Sequence, residues 1–260
     1  MGHKIEYYFA SHVGKCRKVN QDNFYCNGAS MHHVNRGTGG VRKGSVDCRE
    51  NPIFAVFDGM GGEEQGEMAA YLAAKEMEDF SFEGSFDREF FDFCTAANQK
   101  ICEYTQQNGI SSMGTTAAIL GFTEEGSCLC NIGDSKVLRF SRNGPEQISM
   151  DHVAVCPFGK KPPLSQNLGI PPTEMIIDPY FARGTYRDGD YYLICSDGLT
   201  DMLSPEAIQK ILYAAPEPEA ASLEMLRAAL FNGGKDNVTF ILCRIEKVRR
   251  GLGKLFARKR

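Results

Sequence analysis

The stretch Ile53-Phe-Ala-Val-Phe57, followed at once by Asp58-Gly59-Met-Gly-Gly, decides the fold that we predict for this chain. Five consecutive apolar residues, rich in β-branched and aromatic types, predict a core strand. An Asp-Gly pair after a strand usually marks a hairpin turn. Here a helical pattern from Ala70 to Met77 follows instead of a second strand, so we expect Asp58 to serve another purpose at its strand end.

Comparable β-rich runs recur along the chain and are separated by helical patterns. The other predicted strands are Thr115–Phe122, Ser127–Ile132, Lys136–Phe140, Tyr191–Cys195 and Val238–Cys243. The other predicted helices run from Phe90 to Tyr104, with a stop at Gly109, and over Pro205–Tyr213 and Glu217–Phe231. Strands in consecutive groups, with paired helices between them, favour an α+β layered domain over a doubly wound sheet. Asn27–Pro52 and Asp151–Pro172 are predicted to be irregular.

Composition is that of an ordinary globular protein. The 260 residues are enough for one large domain, with 42% apolar and 24% charged residues. No run has the length of a membrane-spanning helix, and the N-terminus lacks the apolar core of a signal peptide. The ten cysteines are scattered without Cys-x-x-Cys spacing, which favours reduced thiols over a disulfide framework. We therefore expect a cytoplasmic protein.

Charge is divided unevenly along the chain. The last fourteen residues, 247–260, carry seven Lys or Arg and no acid, so a net charge of −4 leaves the preceding body at −11. An acidic body argues against nucleic acid as a partner. The basic tail mixes cations with Leu252, Leu255 and Phe256, which suits weak contact with an anionic membrane surface or an acidic partner. The alternative is a disordered, solvated terminus.

Aspartates recur at the ends of the predicted strands. They are Asp22, Asp58, Asp134, Asp197 and Asp236. Carboxylates gathered at strand ends repel one another unless cations neutralise them. Oxygen ligands without Cys or His suit Mg²⁺ or Mn²⁺, and the chain has no Asp-x-Asp-x-Asp-Gly calcium loop. The sequence therefore predicts a site for divalent cations.

Six short motifs follow one another along nearly the whole chain. They are Arg17-Lys-Val-Asn20-Gln-Asp22, Phe54-Ala-Val-Phe-Asp58-Gly59-Met-Gly-Gly, Met113-Gly-Thr-Thr116, Asn131-Ile-Gly-Asp134-Ser135, Cys195-Ser-Asp197-Gly198 and Gly234-Lys-Asp236-Asn237. In this order they resemble the PPM, or type 2C, metal-dependent protein serine/threonine phosphatases, especially the bacterial branch. The resemblance implies a four-layer α/β/β/α sandwich of two antiparallel sheets flanked by helix pairs. It assigns residues 1–246 to the phosphatase domain and 247–260 to a basic tail.

The resemblance also implies a set of metal ligands. Asp58 would bridge two Mn²⁺ or Mg²⁺ ions, and Gly59 would offer its carbonyl. Asp197 and Asp236 would complete the shell of one ion. Asp22 would hold a metal-bound water, while Asp134, together with Asp197, would hold a weaker third ion.

The implied reaction is hydrolysis of phosphoserine and phosphothreonine by in-line attack of a water or hydroxide that bridges the metals. Asp58 and Arg17 are the expected catalytic residues, and Arg17 would grip the substrate phosphate because its planar fork meets two oxygens at once. Asn20 and Asn237 would support this site from behind. The expected partners are phosphorylated proteins and a Ser/Thr kinase whose action the enzyme opposes.

The chain departs from the family pattern near the site. Met60 and Glu63 stand at positions where some family members carry His, and no side-chain general acid is predicted. The flap segment after Asp151-His152 is short and rich in proline, and Gln166 replaces the usual Arg of its ending. We expect this flap and the long connection Asn27–Pro52 to shape substrate choice. His32 and His33 are expected to be solvated rather than ligands.

Two other functions are consistent with parts of the sequence. A non-catalytic member of the same fold could act as a binding or sensing module, although such proteins usually lose a ligand. A structural α+β domain could use its Asp-Gly pairs only as turns, but it would not explain six ordered motifs.

Overall fold

The computed structural model describes residues 2–60, 65–80, 85–156 and 162–248. The strands are β1 (His3–His12), β2 (Asp22–Cys26), β3 (Arg42–Asp47), β4 (Ile53–Met60), β5 (Gly114–Thr115), β6 (Ala117–Phe122), β7 (Ser127–Ile132), β8 (Lys136–Ser141), β9 (Gly144–Gln147), β10 (Tyr180–Gly184), β11 (Tyr191–Cys195) and β12 (Val238–Lys247). The helices are α1 (Gly66–Glu78), α2 (Phe86–Gln107), α3 (Asp197–Thr200), α4 (Pro205–Ala214) and α5 (Pro218–Phe231).

The strands form two antiparallel sheets. One has the order β3-β1-β12-β11-β8-β9, and the other has the order β10-β7-β6-β4-β2, with β5 paired to β4. Strands β1 and β12 pair from His3↔Lys247 to His12↔Val238. Residues far apart in the sequence therefore lie side by side in the first sheet.

Three hydrophobic cores separate four layers. Along β4, Phe54 and Val56 face the core between the two sheets, whereas Ala55 and Phe57 face the core beneath α1 and α2. Successive side chains of a strand point to opposite faces, so a strand between two cores must be apolar at every position. On the other sheet, a third core lies beneath α4 and α5 and includes Phe240 of β12. The predicted α/β/β/α sandwich is confirmed.

The helices owe their positions to one apolar stripe each and to local caps. On α2 the stripe includes Phe90, Phe93 and Ala97, all buried against the second sheet. The start of α4 is set by Ser204, whose hydroxyl accepts a hydrogen bond from the amide of Ala207 at 3.3 Å. Pro205 then occupies the first helical position, where no amide hydrogen is needed.

One sequence prediction was wrong in part. Asn27–Pro52 is not irregular throughout, because it contains β3 and a 3-10 turn over Cys48–Glu50. The strand escaped detection because it lies at the sheet edge, pairs only with β1 and has mostly exposed polar residues. Asp151–Pro172 forms no helix or strand outside residues 157–161, which are not described; its ordered contacts are isolated bridges such as Val153↔Leu164.

All ten cysteines are free thiols, and seven of them are buried in the hydrophobic cores. In the ranges given above, no helix is both long enough and apolar enough to cross a bilayer.

Candidate metal centre

Strand register brings the first two aspartates together. Strands β2 and β4 pair with Asp22 directly opposite Asp58. Like charges in such a cross-strand pair destabilise a sheet, so this register is costly without a compensating cation. Asp22 is buried, and its carboxylate accepts a hydrogen bond from the Ser196 hydroxyl at 2.8 Å. Because Ser196 follows β11, that bond links the two sheets.

Two further aspartates arrive from the first sheet. Asp197 is the first residue of α3, two residues after the end of β11, and Asp236 precedes β12. The two segments touch through backbone, since a Cβ on Gly198 would lie 1.9 Å from the carbonyl oxygen of Asn237. Gly198 is therefore required for the close approach that places Asp197 beside Asp236. The helix that starts at Asp197 shows that Asp197-Gly198 is not a hairpin turn.

Gly59 has an equally strict steric role. A Cβ there would lie 2.1 Å from the carbonyl oxygen of Gly66 and 2.5 Å from that of Gln21. The end of β4 is thus pressed between the first residue of α1 and the start of β2. Its main chain is held further by Thr116, whose hydroxyl accepts from the Asp58 amide at 3.0 Å and whose amide donates to the Asp58 carbonyl at 2.9 Å.

Six of the predicted site residues line one cleft of about 330 Å³, which we call the acidic cleft. They are Arg17, Asp58, Gly59, Asp134, Asp197 and Asp236. Met60, Gln21, Thr116, Pro162 and Leu164 complete its described lining. Asp22 lies behind the cleft rather than on its wall. The cleft therefore brings together residues from both sheets, and these residues are as far apart in the sequence as Arg17 and Asp236.

The electrostatics of the cleft favour cations. The carboxyl of Asp58 is only partly exposed on the cleft wall, and burial together with repulsion from Asp22, Asp197, Asp134 and Asp236 raises its pKa well above 3.8. Burial raises the pKa of Asp22 to about 7, against hydrogen bonds from Thr239 and Ser196 that lower it. Anionic forms of these groups need positive charge close by.

The donor set fits a hard cation that keeps part of its water shell. In the described part of the chain, no three His, Cys, Asp or Glu side chains converge tightly enough to hold an ion unaided. Mg²⁺ and similar ions commonly use one or two carboxylates and fill the remaining positions with carbonyl oxygens and water. The Asp58 and Asp197 carboxylates with the Gly59 carbonyl are such a set, and it contains oxygen donors alone.

Arg17 lies at the mouth of the acidic cleft. Its guanidinium donates to the Asp236 carboxylate at 2.7 Å, while about half of the side chain (52%) stays exposed. Among the described lining residues it is the sole cation. A guanidinium that is partly exposed beside the carboxylates is placed to meet an incoming anion.

Asn20 and Asn237 fasten the segment that carries Arg17. The Asn237 side chain accepts from the Gln21 amide at 2.8 Å and donates to the carbonyls of Val13 and Val19 at 2.9 and 3.0 Å. Asn20 is fully buried and donates to the Ser11 hydroxyl at 2.9 Å. Both amides thus hold the 13–21 loop against the first sheet.

Sequence reasoning missed two supporting hydroxyls, Thr116 and Ser196. Beyond its bonds to Asp58, the Thr116 hydroxyl lies 2.7 Å from that of Ser135, the residue after Asp134. Both residues stand inside the six motifs, and Ser196 directly precedes Asp197, which were the available signals. The sequence did not indicate that the Ser196 hydroxyl lies within hydrogen-bonding distance of Asp22 in the other sheet.

The histidines take structural positions. His152 accepts a hydrogen bond at Nδ1 from the Gly133 amide at 3.1 Å, which pins the turn before Asp134. Burial lowers the pKa of His152 below 6.5. His32 and His33 stack on each other and on Tyr71, so the expectation that they are simply solvated holds only for the exposed His32. Met60 lines the acidic cleft, whereas Glu63 lies outside the described residues.

The short flap folds back beside the cleft. The amide of Ala154 donates to the Pro163 carbonyl, and that of Ser165 to the His152 carbonyl, both at 2.9 Å. This pairing brings Pro162 and Leu164 to the cleft wall. Pro157 lies outside the described residues.

The sequence is similar to those of known proteins. The family model described as protein phosphatase 2C matches residues 42–227. Protein phosphatase PhpP of Streptococcus pneumoniae is 29% identical over 250 residues, covering 88% of this chain and 93% of that protein. Serine/threonine protein phosphatase PstP of Mycobacterium tuberculosis is 29% identical over 205 residues, 73% of this chain and 40% of that protein.

Solved structures extend the likeness to three dimensions. A crystal structure of Mycobacterium tuberculosis PstP superimposes with a TM-score of 0.75 at 26% identity, covering 94% of this chain and all of that chain. The PstP catalytic domain in complex with two manganese ions gives a TM-score of 0.72 at 26% identity, with the same coverage of both chains.

Proposed function

The chain belongs to the protein phosphatase 2C family of phosphoprotein phosphatases, and on that premise we propose that it hydrolyses phosphoserine and phosphothreonine with two divalent ions in the acidic cleft. The observation that carries this proposal is the meeting of Asp58, Asp197 and Asp236 in one cleft, with Arg17 at its mouth. A role as a non-catalytic module would not explain why these four residues lie together in one cleft.

The ligand roles follow from position. Asp58, the Gly59 carbonyl, Asp197 and Asp236 would hold two Mn²⁺ or Mg²⁺ ions. Asp22, behind the wall, would orient a coordinated water. Asp134 shares the cleft with Asp197 and would hold a weaker third ion. The manganese in the PstP complex supports Mn²⁺ as one of the natural ions.

The chain's own groups then position the reaction. Bound ions would supply a water of lowered pKa and positive charge against the phosphate oxygens. Arg17 would leave the Asp236 carboxylate to donate two hydrogen bonds to the phosphate, an exchange that keeps the guanidinium paired throughout. Since none of the described histidines lines the acidic cleft, we assign no side-chain general acid.

Substrate choice is proposed to depend on the flap and on the Asn27–Pro52 connection. The flap brings Pro162 and Leu164 to the cleft wall. The Asn27–Pro52 connection packs His32 and His33 against Tyr71 on α1. Exchanging either connection for that of a relative should change preference across a phosphopeptide panel, and an unchanged preference would count against this role.

Partners and location are proposals of the same kind. We propose phosphorylated proteins as substrates, a Ser/Thr kinase whose action the enzyme opposes, no nucleic acid, and a cytoplasmic location in keeping with ten free thiols. The domain boundary at residue 246 is supported by β12, which ends at Lys247. Residues 249–260 lie outside the described part of the chain. Weak contact of the tail with a membrane surface or acidic partner is tested by vesicle co-sedimentation, with a chain ending at Glu246 as control.

The test of the main proposal is hydrolysis of p-nitrophenyl phosphate. Activity should require Mn²⁺ or Mg²⁺, disappear with EDTA and return when the metal is restored. Asp58→Asn should remove it, while Asp92→Asn, on the exposed face of α2, should not. Hydrolysis that survives chelation or survives Asp58→Asn would refute the two-metal proposal.

A further inference from the structure

A second and larger depression lies beside the acidic cleft, between α2 and residues 167–177. We call it the α2 groove; it has a volume of about 1050 Å³, and its described lining includes Phe91, Gln99, Glu103, Glu174 and Ile176. Pockets that enclose a small molecule are typically about 300–1,000 Å³. The α2 groove is therefore large for a single side chain, and it is separate from the carboxylates that the reaction uses.

The α2 groove adjoins the acidic cleft. Met60, which directly follows Gly59 in β4, lines both spaces. A phosphorylated side chain with its phosphate in the acidic cleft would bring its own backbone to Met60. The neighbouring residues of that polypeptide would then enter the α2 groove on one side of the phosphoresidue.

The outer wall of the α2 groove is fixed to the body of the protein. The buried Asn98 side chain accepts from the amides of Gly169 and Ile170 at 2.7 and 3.1 Å and donates to the Ile170 carbonyl at 3.0 Å. Leu168 and Thr115 exchange two backbone hydrogen bonds at 2.9 and 3.0 Å. A wall held in this way is formed before any ligand arrives, which reduces the entropic cost of binding.

Gln166 holds the far end of that wall. Its side-chain oxygen accepts from the Asp178 amide at 3.1 Å, and its nitrogen donates to the Ile176 carbonyl at 3.4 Å.

The chemistry of the walls selects one type of occupant. Ile176 is 80% exposed and Phe91 43% exposed, so two large apolar side chains face solvent at the α2 groove. Its charged groups are the carboxylates of Glu103 and Glu174, and the described lining residues include no Lys, Arg or His. Apolar surface with a negative rim suits apolar residues next to a cation and disfavours acidic ones.

We propose that the α2 groove is the docking site for the substrate polypeptide next to the phosphoresidue, and that it takes apolar residues accompanied by Lys or Arg. This inference rests on the proposed phosphatase function. It adds to that function a substrate class: phosphoproteins whose phosphorylated Ser or Thr is flanked on one side by an apolar and basic segment.

The test compares phosphothreonine peptides that differ only in the flanking residues. Four flanks would be placed on each side in turn: Gly-Ser, Leu-Val, Leu-Val-Lys and Leu-Val-Glu. The full-length wild-type protein in Mn²⁺ should show the highest kcat/KM for Leu-Val-Lys on one side. On that side, Ile176→Ala should lower kcat/KM for the apolar peptides on the order of tenfold and leave the Gly-Ser peptide unchanged.

Matched controls separate docking from general damage. Phe231→Ala removes another large exposed side chain (85% exposed), at the end of α5 in the opposite layer, and should change no peptide. Glu174→Lys should lower kcat/KM for Leu-Val-Lys and raise it for Leu-Val-Glu by about three- to fivefold, the scale of one exposed ion pair. The same reversal at the exposed Glu224 of α5 should have no effect.

Hydrolysis of p-nitrophenyl phosphate distinguishes failure of this inference from failure of the proposed function. If wild type hydrolyses the small substrate but shows no flank preference, the α2 groove is not a docking site. The docking role is equally refuted if Ile176→Ala and Glu174→Lys leave the preference intact, or change only the oligomeric state in gel filtration. If wild type with Mn²⁺ hydrolyses nothing, the phosphatase proposal itself has failed.

Discussion

Replacing Gly59 by alanine should damage both stability and catalysis, because the strand end that carries Asp58 has no room for a side chain. The added Cβ would lie 2.1 Å from the Gly66 carbonyl oxygen and 2.5 Å from that of Gln21. Ordinary contact begins at 3.4 Å, so the nearest separation must open by about 1.3 Å. Both obstructing atoms belong to the backbone, so no side-chain rotation can relieve the contact.

The expected magnitudes follow from that displacement. Overpacking of this kind costs about 1–3 kcal/mol of the free energy of unfolding. A shift of ~1 Å at reacting groups costs on the order of 100-fold in rate. Gly59→Ala should therefore unfold at lower urea concentration and hydrolyse p-nitrophenyl phosphate about 100-fold more slowly. Intrinsic propensity works the other way, since alanine loses less backbone entropy than glycine on folding.

Urea unfolding followed by far-ultraviolet circular dichroism and steady-state hydrolysis in Mn²⁺ would measure the two effects. Gly184→Ala is the matched control, because its Cβ would meet only the Ser127 hydroxyl, at 3.4 Å. That variant should stay within about 0.5 kcal/mol of wild type. If Gly59→Ala were as stable and as active as wild type, the packing of β4 against α1 would not be what positions the site.

Three other perturbations have defined outcomes. Asp58→Asn should raise the melting temperature in EDTA, because it removes a negative charge that the neighbouring carboxylates repel. The same variant should lose the stabilisation that Mn²⁺ gives wild type. An unchanged response to Mn²⁺ would contradict the role of Asp58 as a metal ligand. Asn98→Ala, which releases residues 169–170, should lower kcat/KM for flanked peptides more than for p-nitrophenyl phosphate; equal losses would point to general destabilisation. Because burial lowers the pKa of His152 below 6.5, the unfolded chain takes up its proton first, and the contribution of His152 to the free energy of unfolding should fall as pH drops below about 6.5. In urea titrations, the difference in free energy of unfolding between wild type and His152→Gln should be smaller at pH 5.5 than at pH 7.5, and an equal difference at the two pH values would refute this assignment.

The acidic cleft shows how one fold combines stability with a repulsive site. Asp22 and Asp58 face each other across a strand pair, although a sheet without a metal role would gain from neutral residues there. The repulsion between the two carboxylates is offset by the burial of the other residues of these strands in two hydrophobic cores. A site of this kind is expected where function, rather than packing, has selected the residues.

Much of this protein could be inferred from residue order alone. The apolar run before Asp58 predicted a core strand because a strand between two cores must be apolar at every position. The predicted helices were found because each buries one stripe of regular spacing. The aspartates could be named as ligand candidates because they stand at strand ends within short motifs, and three of them, Asp58, Asp134 and Asp197, adjoin a glycine.

Other features depended on contacts between distant segments. The edge strand β3 has no apolar pattern and exists through its hydrogen bonds to β1, so composition could not reveal it. The support of Asp22 by Ser196 joins residues from different sheets, and the α2 groove arises only where Asn98 holds residues 169–170 against α2. The pattern of apolar and polar residues in one segment indicates which of its side chains are buried. A site between two sheets depends on distances between segments that are far apart in the sequence, and these distances are set only when the whole chain has folded.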